Sequence, residues 1–208
     1  MRKILSLLVL MALTFSFSYA EEDMEIVYLD EIDGQEVYDI DDHWAEETIR
    51  TYMLNGYING FEDGTFRPND TITKEQFAKI VVDYLALEGK EYSFSDVSSD
   101  RWSKSFVGVF GGYIGEKSGT FNPTKELTRE DVIVYLVKIK EKLGDKYYKF
   151  TIDIDIRDEF VDGDKIIDAD RILKGVHNKL VEGYEDGTLK PDKKVTRAEF
   201  LTILDRLR

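Results

Sequence analysis

An all-α body made of three helix–loop–helix units is the fold class the sequence predicts, and three observations predict it. The stretch Gly60-Phe61-Glu62-Asp63-Gly64-Thr65-Phe66-Arg67-Pro68 returns as Gly115 to Pro123 and again as Gly183 to Pro191, with the second Gly, the Thr and the Pro at fixed offsets. A Thr follows each Pro at one constant spacing, at Thr73, Thr128 and Thr196. Beyond each of these Thr residues, apolar side chains recur at helical intervals. Each copy leaves an apolar helical face uncovered when alone, so the units are expected to fold together rather than as separate domains.

Taken in order, the chain opens with Arg2-Lys3, an apolar run from Ile4 to Leu13, and Ser18-Tyr19-Ala20. This is the pattern of a secretory signal peptide over residues 1–20, cleaved after Ala20. The alternative is an uncleaved membrane anchor, but Ile4 to Ala20 contains Ser6, Thr14, Ser16 and Ser18. It falls short of the about 20 mostly apolar residues that cross a bilayer. Residues 21–36 form an acidic lead-in, and the three repeats occupy 37–89, 90–149 and 150–208.

Each repeat begins on an Asp step, at Asp39-Ile40, Asp96-Val97 and Asp153-Ile154. A first helix follows, carried by Ala45, Ile49, Tyr52 and Met53 in the first repeat and by Ala169, Ile172, Leu173, Val176 and Leu180 in the third. In the second repeat the piece from Trp102 to Gly119 is shorter than its counterpart from Trp44 to Gly64. Its first helix is therefore expected to be about one turn, ~3.6 residues, shorter. The third repeat carries extra length early. There Thr151 to Arg157 alternates apolar and polar residues, which predicts a short strand before a loop to Lys165.

The Gly-rich loop is turn chemistry, Gly supplying positive φ and Pro holding the chain out of helix. The Thr after it starts the second helix. Gln76, Asp131 and Glu199 stand three residues beyond their Thr, so each pair makes a capping box, with Asp the least suited partner. Such a cap stabilises its helix by ~1 kcal/mol. Phe77, Ile80, Val81 and Tyr84 then share one face in the first repeat, as do Phe200, Ile203, Leu204 and Leu207 in the third. In the second repeat Val132, Tyr135, Leu136 and Ile139 fill those slots, while Ile133, Val134 and Val137 widen the stripe. The middle helix is expected to sit deepest.

Composition narrows the function. The net charge is −14, which argues against nucleic acid or an anionic membrane surface as a general partner. There is no Cys, so disulfides and thiolate metal sites are excluded. The nearest approach to a calcium-binding EF-hand loop, Asp158 to Ala169, places Phe160 where an oxygen ligand is required. A weaker calcium response stays open as a third function class. No nucleophile motif, metal-ligand spacing or phosphate loop is present, and His43 and His177 occupy unrelated repeat positions. The sequence predicts no enzyme and no cofactor.

Candidate binding residues come from the repeat itself. Lys74, Arg129 and Arg197 each follow a capping Thr. A cation at a helix N-terminus is locally unfavourable by ~0.3–1 kcal/mol, yet all three copies have one. One reading is an anion site made by the cation together with the free N–H groups of the first turn. The other is a long side chain lying along the neighbouring repeat and pairing with an acid there. Trp44 and Trp102, at the starts of first helices, likewise read either as sugar-stacking rings or as core anchors. Ile167 replaces the ring in the third repeat.

The run from Asp39-Ile40 through His43-Trp44-Ala45, Gly56-Tyr57-Ile58-Asn59-Gly60 and the loop to Thr73-Lys74 and Gln76-Phe77 closely resembles the S-layer homology domain. Three tandem copies cover about residues 37 to 208. The middle copy departs at Lys117-Ser118 and in its Gly111-Gly112 context, the third at Ile167. The resemblance implies a pseudo-threefold arrangement around a central three-helix bundle, with grooves between repeats. It implies a secreted bacterial protein held non-covalently at the cell wall by an anionic secondary wall polysaccharide, pyruvylated forms included, or by peptidoglycan-linked glycan. Arg129 and Arg197 would hold ligand carboxylates, Lys74 would assist, and Trp44 and Trp102 would pack on sugar. The alternative is a structural protein whose repeats bind S-layer or other surface proteins. No membrane partner is expected after signal cleavage.

Overall fold

The computed structural model describes residues 37–151 and 153–207. The expected signal peptide and acidic lead-in lie outside the described residues. Six α-helices follow one another: α1 (Glu46–Leu54), α2 (Lys74–Tyr84), α3 (Lys104–Ile114), α4 (Arg129–Leu143), α5 (Ala169–His177) and α6 (Arg197–Asp205). Among the described residues there is no strand, only isolated bridges at Thr71–Thr196, Thr73–Glu126 and Thr128–Lys194. The all-α prediction holds.

All three capping boxes close. The Thr73, Thr128 and Thr196 hydroxyls accept from the N–H of Gln76, Asp131 and Glu199 at 3.4, 3.1 and 3.2 Å. The Thr N–H groups donate back to those side chains at 3.0, 3.0 and 3.1 Å, so Asp131 serves despite its shorter reach. Behind the caps, Phe77, Ile80 and Val81 of α2 are buried, as are Phe200, Ile203 and Leu204 of α6. Every residue from Val132 to Val137 in α4 is buried, matching its wide apolar stripe.

The next two N–H groups of each second helix reach across to another unit. Lys74 and Glu75 donate to the carbonyls of Lys125 and Pro123, Arg129 and Glu130 to those of Lys193 and Pro191, and Arg197 and Ala198 to those of Asp70 and Pro68. The donors that a helix start leaves unpaired are thus satisfied by the stretch after the next unit's loop. The last unit returns to the first. Helix packing follows the same order, α2 on α3, α4 on α5 and α6 on α1. At the junction Phe77 meets Phe200 and Tyr135 at ring-centroid distances of 4.9 and 5.9 Å.

One carboxylate braces each loop. The N–H groups of Phe66 and Arg67 donate to Asp39 at 2.6 and 2.7 Å, and those of Phe121 and Asn122 to Asp96 at 2.7 Å each. The second residue of each pair has positive φ, 58° at Arg67, 58° at Asn122 and 55° at Lys190. Two charge-assisted bonds hold this unfavourable backbone in place.

In the third unit the brace is Asp162, which takes the N–H groups of Leu189 and Lys190 at 2.8 and 2.9 Å. Asp153, expected to open the third repeat in line with Asp39 and Asp96, is not their structural equivalent. The extra length falls between Asp153 and this brace, ahead of α5. The expected strand over 151–157 is also replaced. Ile152 lies outside the described residues, and Ile156–Glu159 is a 3-10 turn whose start is capped by Asp155 accepting from the Arg157 N–H. Finally, α3 has 11 residues against 9 in α1 and in α5, so it is longer, not shorter. It runs directly into the left-handed Gly115 at its C-cap, whereas α1 ends at Leu54 and leaves Asn55 to Asn59 as connecting chain.

Candidate functional site

The three basic residues all lie where one unit meets the next, and each is engaged differently. Lys74 is 4% exposed and its Nζ donates to Glu116 at 2.7 Å, 4.3 Å from the centre of the Phe121 ring. Burial pulls its pKa down and Glu116 opposes that. Arg129 donates through Nη2 to the Glu182 carbonyl at 2.8 Å and lies over Tyr184, while its buried Nε makes no hydrogen bond. Burial lowers its pKa too.

Arg197, also 4% exposed, donates through Nε to the Phe66 carbonyl at 3.0 Å and through Nη2 to the Asn59 carbonyl at 3.3 Å. Its guanidinium stands 4.4 Å from the Phe66 ring centre and 5.1 Å from that of Phe61. Burial brings its pKa down to about 10, so it remains a cation at neutral pH. An anion site built from first-turn N–H groups does not form at these helices. The neighbouring unit's carbonyls and the capping Thr already take those donors.

Trp102 and Trp44 are 58% and 64% exposed, and Ile167 is 83% exposed. They stand on the surface and not in the core. Trp102 and Arg197 line one cavity of about 270 Å³ together with Asn59, Phe61, Gln76 and Lys79. Three units build it: the loop and second helix of the first, the ring of the second and the guanidinium of the third. Lys79, which the sequence reading did not single out, brings a second cation to the cavity. It is partly engaged by the Tyr57 carbonyl at 3.2 Å and by Asp83 at 3.2 Å. Its position on the open face of α2 was the available signal.

The groove between the second and third units is chemically different. Its cavity, about 390 Å³, is lined by Ile167 in place of a ring and by Glu116, Glu130, Asp131, Asp168 and Asp192, with Lys125 and Lys138 opposing them. Glu130 is held by the N–H groups of Ile167 and Asp168 at 2.8 and 2.7 Å. Among the described residues no cluster of His, Cys, Asp or Glu could hold a metal ion, and no helix is long and apolar enough to cross a membrane.

Comparison with known proteins agrees with this architecture. A sequence model of the S-layer homology domain matches residues 38–78 and 159–201. The chain is similar to a cellulosome-anchoring protein of Acetivibrio thermocellus, 28% identical over 162 residues covering 72% of this chain and 35% of that protein. It is 30% identical over 163 residues to cell surface glycoprotein 1 of the same organism, covering 72% of this chain and 7% of that protein. A surface-layer 125 kDa protein of Lysinibacillus sphaericus is 28% identical over 172 residues, covering 78% and 14% of the two chains. The chain thus spans about a third of the first of these relatives and far less of the others. With matched copies on either side of a middle unit that keeps the same cap, brace and loop, the chain belongs to the S-layer homology domain family.

Proposed function

We propose that the chain attaches to anionic wall glycan through the cavity shared by Trp102 and Arg197. It is a cell-surface protein whose repeats serve as an anchoring module. The observation that carries the glycan reading is the pairing of an exposed indole with a buried, permanently charged guanidinium across one cleft. A sugar ring offers a flat apolar face to the indole. A carboxylate on that sugar, such as a pyruvyl group, matches the guanidinium and Lys79. Arg197 spends Nε and Nη2 on the Phe66 and Asn59 carbonyls, which fixes its guanidinium at the cavity wall with its charge intact.

Lys74 and Arg129 act chiefly as struts in this reading, each anchored to the next unit, and Trp44 offers a second indole outside the cavity. The carboxylate-lined groove beside Ile167 repels an anionic sugar. No catalytic role is assigned to any residue, and no cofactor is required.

The test is retention of the full chain on purified wall material freed of protein. Wild-type chain should be retained and Trp102→Ala should wash off. Retention that requires protein-bearing wall, and vanishes on bare glycan, would favour the alternative of a surface-protein partner.

A further inference from the structure

Two departures of the middle unit from the shared pattern have no part in the Trp102 cavity. Where the other units carry Glu62 and Glu185, this one carries Lys117. Its first helix also contains Gly108, Gly111 and Gly112. The two departures converge. A Cβ at Gly108 would stand 2.9 Å from the Tyr92 carbonyl oxygen, one at Gly111 2.7 Å from the Phe94 ring, and one at Gly112 3.0 Å from the Tyr92 ring. The glycines therefore let the chain from Lys90 to Phe94, which links α2 to α3, lie flat on α3, where the Tyr92 N–H donates to the Gly108 carbonyl at 3.1 Å.

Pinned there, Tyr92 becomes one wall of a cavity of about 410 Å³ that Tyr113, Lys90, Lys117 and Lys142 also line. The ammonium groups of Lys90 and Lys117 stand 5.2 and 5.9 Å from the Tyr92 ring centre. None of these three lysines forms an ion pair with a described residue. Glu88 is the one acid on the lining, and its carbonyl receives the Tyr113 hydroxyl at 2.9 Å. Three cations without an ion-pair partner among the described residues, in a chain of net charge −14, focus a local positive field on one cleft. The volume lies within the usual range for small-ligand sites, roughly 300–1,000 Å³.

We infer that this cavity is a second saccharide site, taking a sugar that bears a carboxylate or phosphate. The tyrosine rings supply flat surfaces for the sugar and the lysines hold its charge as point cations, which suits either substituent. The site is separate from the Trp102 cavity. The two lie at opposite ends of α3, whose 11 residues span ~16 Å at ~1.5 Å per residue. It stands whether or not the Trp102 cavity binds wall glycan.

The test is an amide chemical-shift titration of the full chain with glucuronic acid, glucose 6-phosphate, glucose and inorganic phosphate. The expected result is that the two anionic sugars shift Gly112 and Tyr113, with binding weakened at least tenfold in a Lys90→Ala, Lys117→Ala, Lys142→Ala variant. All three side chains are exposed, and an unchanged melting temperature certifies the fold of the variant. Trp102→Ala should leave these shifts in place, which separates the two sites. Equal response to glucose, no response at these amides, or full binding by the triple variant would overturn the inference. So would inorganic phosphate binding as tightly as glucose 6-phosphate, which leaves an anion site without sugar recognition. Tighter binding of a poly-aspartate peptide than of either sugar would reassign the cavity to an acidic protein.

Discussion

Arg197 and Phe66 are 131 positions apart in the chain, yet the guanidinium Nε donates to the Phe66 carbonyl at 3.0 Å. This contact joins the third unit to the loop of the first, beside the backbone bonds from Arg197 to Asp70 and from Ala198 to Pro68. Removing the side chain leaves two loop carbonyls, of Phe66 and Asn59, without their donor. An unsatisfied buried group costs ~1–3 kcal/mol. Arg197→Ala is expected to lower unfolding free energy by about 2–4 kcal/mol, measured by urea denaturation. Loss of less than about 0.5 kcal/mol would show that the closing seam does not depend on this residue.

Trp102 separates binding from stability because its ring is largely exposed. Trp102→Ala should leave the denaturation midpoint nearly unchanged, within about 0.5 kcal/mol, as surface substitutions usually do. Its retention on protein-free wall glycan should fall about tenfold, equivalent to roughly 1.4 kcal/mol. Trp44→Ala serves as the matched control, since Trp44 is equally exposed but does not line the cavity. Equal loss in both variants would remove the single-cavity assignment.

Much of this arrangement was legible in the sequence, and what was not has physical causes. The caps at Thr73, Thr128 and Thr196 depend on residues three apart, so local spacing reveals them. The brace at Asp162 acts over 27 positions on Leu189, and inserted chain before it moved the apparent register to Asp153. The length of α3 was misjudged from the short span between Trp102 and Gly119, because the saving falls in the connecting chain after the helix, which runs straight into Gly115, and not in the helix itself. Arg197 and Trp102 were both named, but not as a pair. They share a cavity only because the third unit closes back onto the first, and no local pattern carries that information.

Acid should loosen the first and third loops together. Asp63 is held at about 2 by hydrogen bonds from Thr65 and Arg67, and Asp186 at about 2 by Thr188 and Lys190, against an ordinary value of 3.8. A carboxylate depressed in the folded state binds its proton more readily when unfolded, so its contribution is complete above pH 3.8 and disappears as pH falls toward 2. Melting temperature should therefore drop across that window. The Asp63→Asn, Asp186→Asn variant should start lower at neutral pH and show a shallower drop, and parallel curves for the two proteins would count against these carboxylates as the cause.

The cyclic order of contacts makes the three units interdependent. Cut after residue 149, the chain loses α5 from α4 and α6 from α1, and the first-turn N–H groups of Arg129 and Glu130 lose the carbonyls of Lys193 and Pro191. Ile133 and Val137, fully buried in the intact chain, lose the Gly175 face of α5 they pack against. Exposing several such side chains costs ~1.5–3 kcal/mol each, comparable in sum to the ~5–15 kcal/mol that holds a whole domain folded. Fragment 21–149 should therefore aggregate, or melt without a cooperative transition in calorimetry. A soluble fragment with one sharp transition would mean that two units suffice for a core, and that the third is docked rather than required.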